Sequence, residues 1–122
     1  EKTMANDFIR ICTPNVSNSG NSTIYAVPAG ASSAALESIV IGITAANKTS
    51  SGVTVDIFID NEDGSNDVYI VKGASIPAGA SLEVMAGNKL VLQNDGSNAD
   101  NLEALASAAN SVDVTVSVLQ DV

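Results

Sequence analysis

Hydrophobic and polar residues alternate singly through much of this chain. Val112, Val114, Val116 and Val118 are separated by Asp113, Thr115 and Ser117. Val53, Val55, Ile57 and Ile59 are separated by Thr54, Asp56 and Phe58, with Asp60 following. A period of two places one set on each face of an extended chain, so both segments read as half-buried strands. Phe58 then falls on the polar face of its strand. Further apolar runs predict strands over residues 8–12, 23–27, 36–44, 68–72, 81–85 and 89–93. Pro28 ends the second of these runs. The triplet Ile39-Val40-Ile41 breaks strict alternation, which requires either burial on both faces or a bulge near Gly42.

Residues 100–110 carry two signals. Asp100 with Glu103 has capping-box spacing, and Leu and Ala favour a helix. Leu102, Ala104 and Ala106 also alternate, as in a strand. Turn-rich loops lie at residues 15–22, 47–52, 60–67 and 94–101. Strands at this spacing, with such loops between them, indicate an all-β antiparallel sandwich, jelly-roll-like or barrel-like. The expected organisation is an N-terminal arm over residues 1–6 and one β-sandwich domain over residues 7–122. Pro28-Ala29-Gly30-Ala31-Ser32 recurs as Pro77-Ala78-Gly79-Ala80-Ser81, and Ala45-Ala46-Asn47 as Ala108-Ala109-Asn110. These echoes are either convergent turn chemistry or the trace of two related halves.

Composition supports the strand reading. Val (14) and Ile (10) together outnumber Leu (7), a bias toward β-branched side chains. Charged residues make up 16% of the chain, against about 25% in an ordinary domain. The polar faces are therefore built mostly of Ser, Thr and Asn, which suit permanent packing against neighbours. The net charge is −9, and the five cations are Lys2, Arg10, Lys48, Lys72 and Lys89, spread singly. Nucleic-acid and anionic-membrane binding both need clustered cations, so neither is expected. No apolar stretch approaches a membrane span, and none reads as a signal peptide.

The chemical inventory is short. With no His and one Cys, the chain cannot form a Cys/His zinc site, a Ser-His or Cys-His pair, or an intrachain disulfide. Cys12 is expected to be a small buried hydrophobe, with Arg10 on the same strand face as its one cationic neighbour. Calcium needs six to eight oxygens, and residues 60–67 offer Asp60, Glu62, Asp63 and Asp67 as weak metal candidates. Neither that loop nor residues 94–101 matches an EF-hand, so solvated hairpin loops are expected and no cofactor. The sequons at Asn15, Asn21 and Asn47 are what chance gives in so Asn-, Ser- and Thr-rich a chain. The few aromatics cannot line a substrate pocket, and no enzyme is expected.

Three stretches carry a resemblance. They are Ser38-Ile39-Val40-Ile41-Gly42-Ile43-Thr44-Ala45-Ala46-Asn47, Tyr69-Ile70-Val71-Lys72-Gly73-Ala74-Ser75-Ile76-Pro77-Ala78-Gly79-Ala80-Ser81-Leu82, and Ser107-Ala108-Ala109-Asn110 running into the alternating valines. With Val53 to Asp56 and Lys89 to Leu92 between them, they resemble small β-rich virion structural proteins of marine and cyanobacterial tailed phages. The resemblance covers roughly residues 23–120. It implies an all-β sandwich, a strand rather than a helix near Leu102, and no catalytic residues. It also implies a virion component: a capsid decoration (cement) protein bridging major capsid protein subunits, or else a tail- or neck-associated protein. A receptor- or carbohydrate-binding sandwich is the remaining alternative. A homo-oligomer, by analogy a trimer, is expected, with Phe8, Ile9 and Phe58 as interface residues.

Overall fold

A computed structural model describes residues 6–60, 67–85 and 87–121. Among the described residues, nine strands form two antiparallel sheets. They are β1 (Asn6–Thr13), β2 (Ser22–Ala26), β3 (Leu36–Asn47), β4 (Val53–Asp60), β5 (Asp67–Ile76), β6 (Ser81–Glu83), β7 (Leu90–Asn94), β8 (Asn101–Ala106) and β9 (Val112–Asp121). The first sheet runs β1-β9-β3-β6, with β7 pairing further along the same edge of β3. The second runs β2-β8-β4-β5. The all-β sandwich expected from alternation is what forms. The expected arm over residues 1–6 is only partly within the described residues: Asn6 already belongs to β1, opposite Asp121.

The core lies between the sheets. Val112, Val114, Val116 and Val118 of β9 meet Val55 and Ile57 of β4 and Leu102, Ala104 and Ala106 of β8 in one buried cluster. Each fully buried Val or Leu contributes about 1.5–3 kcal/mol, so these two faces supply much of the driving force. β8 resolves the ambiguity at residues 100–110. It lies between β2 and β4 and pairs with both. Ladder bonds on both edges and the burial of its alternating Leu and Ala outweigh a helix preference of a few tenths of a kcal/mol per residue. The would-be capping carboxylates work elsewhere. Asp100 Oδ2 accepts from the Gln93 amide at 2.9 Å, and Glu103 Oε2 accepts from the Thr23 hydroxyl at 2.7 Å.

The triplet Ile39-Val40-Ile41 is a bulge. Val40 pairs with Val118 and Gly42 with Ser117, which leaves Ile41 as the extra residue of β3. Ile41 is 40% exposed, so the strand is not buried on both faces.

The repeated pentapeptides fold differently. Gly30 donates to the Ala34 carbonyl ahead of a 3-10 turn, Ala31–Ser33, whereas Ala80 donates back to Pro77 across a tight turn in which Gly79 has φ of +70°. The Ala-Ala-Asn echo diverges too: Asn47 ends a strand, while Asn110 sits in a loop at φ of +55°. Neither echo marks the same local structure twice.

Gly96 holds the β7–β8 loop against the 3-10 turn. Its φ is +100°, and a Cβ there would strike the Ser33 carbonyl oxygen. Gly96→Ala combines backbone strain with a clash against main chain. It is expected to lose about 2 kcal/mol or more, read as a lowered thermal midpoint.

Candidate interaction surface

The outer face of the first sheet carries a row of apolar side chains across four strands. Phe8 of β1 opposes Leu119 of β9, Leu119 opposes Ile39 of β3, and Ile39 opposes Val91 of β7. At strand spacing, four such positions span about 14 Å. Phe8 is 75% exposed and Val91 56%, while Ile39 and Leu119 are half-buried between them. The bulge adds Ile41 beside the row. Charged and polar residues border it: Arg10 and Cys12 on β1, Glu37 on β3, Gln93 on β7 and Glu83 on β6, all exposed. An apolar centre with a polar rim is the anatomy of a contact surface.

The three expected interface residues separate. Phe8 lies on this surface. Ile9 is on the opposite face of β1, half-buried against the core. Phe58 does point away from the core cluster, as alternation requires, but it is 2% exposed. Tyr69 and Glu103 oppose it on either side, and the Tyr69 ring lies 5.0 Å from the Phe58 ring. Phe58 is therefore packed under its own sheet's side chains and is not an open platform. Replacing it would damage the fold rather than a contact alone. Above it, the Lys72 ammonium sits 4.4 Å from the Tyr69 ring centre, so a cation already occupies that exposed ring face.

Cys12 corrects another expectation. It is exposed rather than buried, because alternation along β1 turns Ile9 and Ile11 inward and Phe8, Arg10 and Cys12 outward. Ile9 and Ile11 alternate with Phe8, Arg10 and Cys12 in the sequence, and that phase is the signal for its direction.

The acidic loops differ in what they show. Asp60 and Asp67 oppose each other at the base of the β4–β5 hairpin, while Glu62 and Asp63 lie outside the described residues. In the β7–β8 loop the side-chain oxygens hold the loop's own backbone. Asp95 Oδ1 accepts from the Ser97 and Asn98 amides at 2.8 and 2.7 Å, and Asn94 Oδ1 accepts from Gly96 at 2.8 Å. Of the sequons, Asn47 is buried and its side-chain amide is fully engaged inside the fold.

Asp113 ties three segments together near Cys12. Its Oδ1 accepts from the Asn15 amide at 3.0 Å and lies 2.9 Å from the Lys48 ammonium. These contacts, the Asn15 amide first and Lys48 second, hold its carboxyl below the ordinary value of 3.8. The contribution is therefore present above that ordinary value and is lost as pH falls through the lower folded one. With both partners largely solvated, it is modest. Asp113→Asn is expected to lower the thermal midpoint slightly at pH 7, with the difference from the parent shrinking as pH falls below the ordinary value of 3.8.

No family model matches this chain, and no curated protein matches it. Solved structures do. A chain from the structure of infectious bursal disease virus, Gx strain, aligns with a TM-score of 0.50 at 14% identity, over 96% of this chain and 32% of that chain. The likeness is one of fold. This protein thus spans about a third of the viral chain, and it shares a β-architecture found in a virus structure. A chain from Bacillus endospore appendages, described as a novel family of disulfide-linked pili, aligns over 100% of this chain and 91% of that chain, at 18% identity and a TM-score of 0.40.

Proposed function

We propose that this chain is a structural protein of a tailed-phage virion, and specifically a decoration protein that stabilises the head by bridging major capsid protein subunits. The observation that carries this reading is the apolar row Phe8–Leu119–Ile39–Val91 on the outer face of a sheet. Such a row costs solubility unless a partner covers it. Its base is rigid, since β9 and β3 pair along nearly their full length. The sparsely charged surface supports permanent contact over transient binding. The β-architecture shared with a viral chain is compatible with this role, and the motif resemblance points to tailed phages. The protein acts by contact area and performs no chemistry.

A sugar-binding sandwich is less favoured. Stacking on a sugar needs open aromatic faces; Lys72 covers the exposed Tyr69 ring, which leaves Phe8, set at the end of an aliphatic row. The test is reconstitution. Particles from a phage deleted for this gene, mixed with the purified chain and sedimented, should take it up to a fixed ratio per capsid. Heads that take up none would reject the decoration reading, and saturation of isolated tails instead would move the protein there.

A further inference from the structure

The two sheets offer several edges, and all but one are guarded. β5 has two register shifts against β4, with Lys72 and the positive-φ Gly73 on it. β2 is 5 residues long with a shift of its own, and β6 and β7 are short pieces of one interrupted edge. β1 is different. All 8 of its residues pair with β9 in unbroken register, and no strand covers its other edge among the described residues. It contains no Pro and no bulge. A long, straight, open edge is a template for another strand.

We infer that β1 pairs antiparallel with β1 of a second copy, about a two-fold axis through Ile9, placing Arg10 of each copy over Phe8 of the other. This contact shares Phe8 with the apolar row but uses the edge of β1 rather than the sheet face, and it does not depend on the virion reading. Phe8 and Arg10 are both exposed and lie two residues apart on one face of β1. A two-fold axis normal to a continuous sheet keeps each face on its own side, so the axis must pass through a residue. Centred on Ile9, Phe8 opposes Arg10 of the partner subunit twice over, and a guanidinium on an aromatic face is attractive. Ile9 meets its own symmetry mate, and Asp7 opposes the partner's Ile11. Centred on Arg10, two like charges would face each other. Centred on Phe8, Arg10 would lose the ring and fewer residues would pair. The second copy is the occupant because the strand is complementary to itself in this register, which pairs more of β1 than an axis at Ile11 would. Such a contact closes with two chains, whereas a trimer needs a heterologous contact.

A single-cysteine series tests the register. In a Cys12→Ser background, Phe8→Cys, Ile9→Cys and Arg10→Cys are each made in the full chain and oxidised mildly. Bridging needs Cβ atoms within about 4.5 Å, so Ile9→Cys should form a covalent dimer about tenfold faster than the other two. A mixture of the Phe8→Cys and Arg10→Cys chains should crosslink to each other. Equal rates across the series, or a maximum elsewhere, would overturn the register. Sedimentation equilibrium of the unmodified chain at physiological salt, where its like net charges are screened, guards against variants that fail to fold. It should give twice the chain mass, falling to the chain mass in Arg10→Glu. A monomer or a trimer of the parent would overturn the pairing itself. Dimerisation without head binding would leave this contact standing and reject the proposed function alone.

Discussion

Asn47→Ala is expected to destabilise the sandwich by about 3–5 kcal/mol, a large part of the stability of a domain this size. Asn47 is 1% exposed at the end of β3. Its Nδ2 donates to the carbonyls of Ser51 at 2.7 Å, Ile76 at 3.0 Å and Pro77 at 3.3 Å. Its Oδ1 accepts from the Thr49 amide at 2.9 Å and the Thr49 hydroxyl at 2.7 Å. One side chain thus joins the β3–β4 loop to the end of β5 and the turn that follows. Truncation removes all of these bonds at once: the Ile76 carbonyl loses this donor at a buried site, while the Ser51 and Pro77 carbonyls keep the Thr49 hydroxyl and the Ala80 amide. Asn47→Asp keeps the acceptor and loses the donors, placing a carboxylate against carbonyl oxygens, so it should be no better tolerated. Urea unfolding should show a lower midpoint with an unchanged slope. Asn21→Ala, at an exposed loop position, should stay within about 0.5 kcal/mol of the parent. Equal behaviour of the two alanine variants would contradict this account of Asn47.

Val91→Glu is expected to leave folding intact and to weaken uptake by heads at least about 100-fold, close to 3 kcal/mol. Val91 is 56% exposed at the end of the apolar row, so a longer polar side chain meets solvent in the free protein. In the complex the same carboxylate would be trapped beside Ile39, and burying a charge among apolar side chains costs several kcal/mol. Thr54→Glu, an equal charge change at an exposed position on the outer face of the opposite sheet, should have little effect on uptake. Uptake of Val91→Glu at the parent affinity would mean that this sheet face is not the docking surface. Dimer formation should survive Val91→Glu, since β7 is remote in the sheet order from the β1 edge.

Most of the fold was legible because its strands alternate strictly. The four valines of β9 and the Val-Ile set of β4 announced both their extended form and their core faces. The Ile39-Val40-Ile41 triplet announced a break in alternation, but left burial on both faces and a bulge open until the β3–β9 register decided. β8 was harder, because local propensity and alternation conflicted there, and only pairing on both edges decides between them. The site was less legible. Phe58 follows the alternation rule in direction, but burial also depends on cross-strand neighbours, and nothing local places Tyr69 and Glu103 beside it. Cys12 was misread by weighing residue type over strand phase. The apolar row was the least visible feature, since Phe8, Ile39, Val91 and Leu119 are far apart in the chain and become one surface only through three strand registers.

The proposed role makes this protein a built-in part of a phage head. Immunogold labelling of the parent virions with antibody to this chain tests it most directly, read by electron microscopy. The account predicts gold spread evenly over the heads. Gold confined to tails or necks, or particles bearing none, would contradict it.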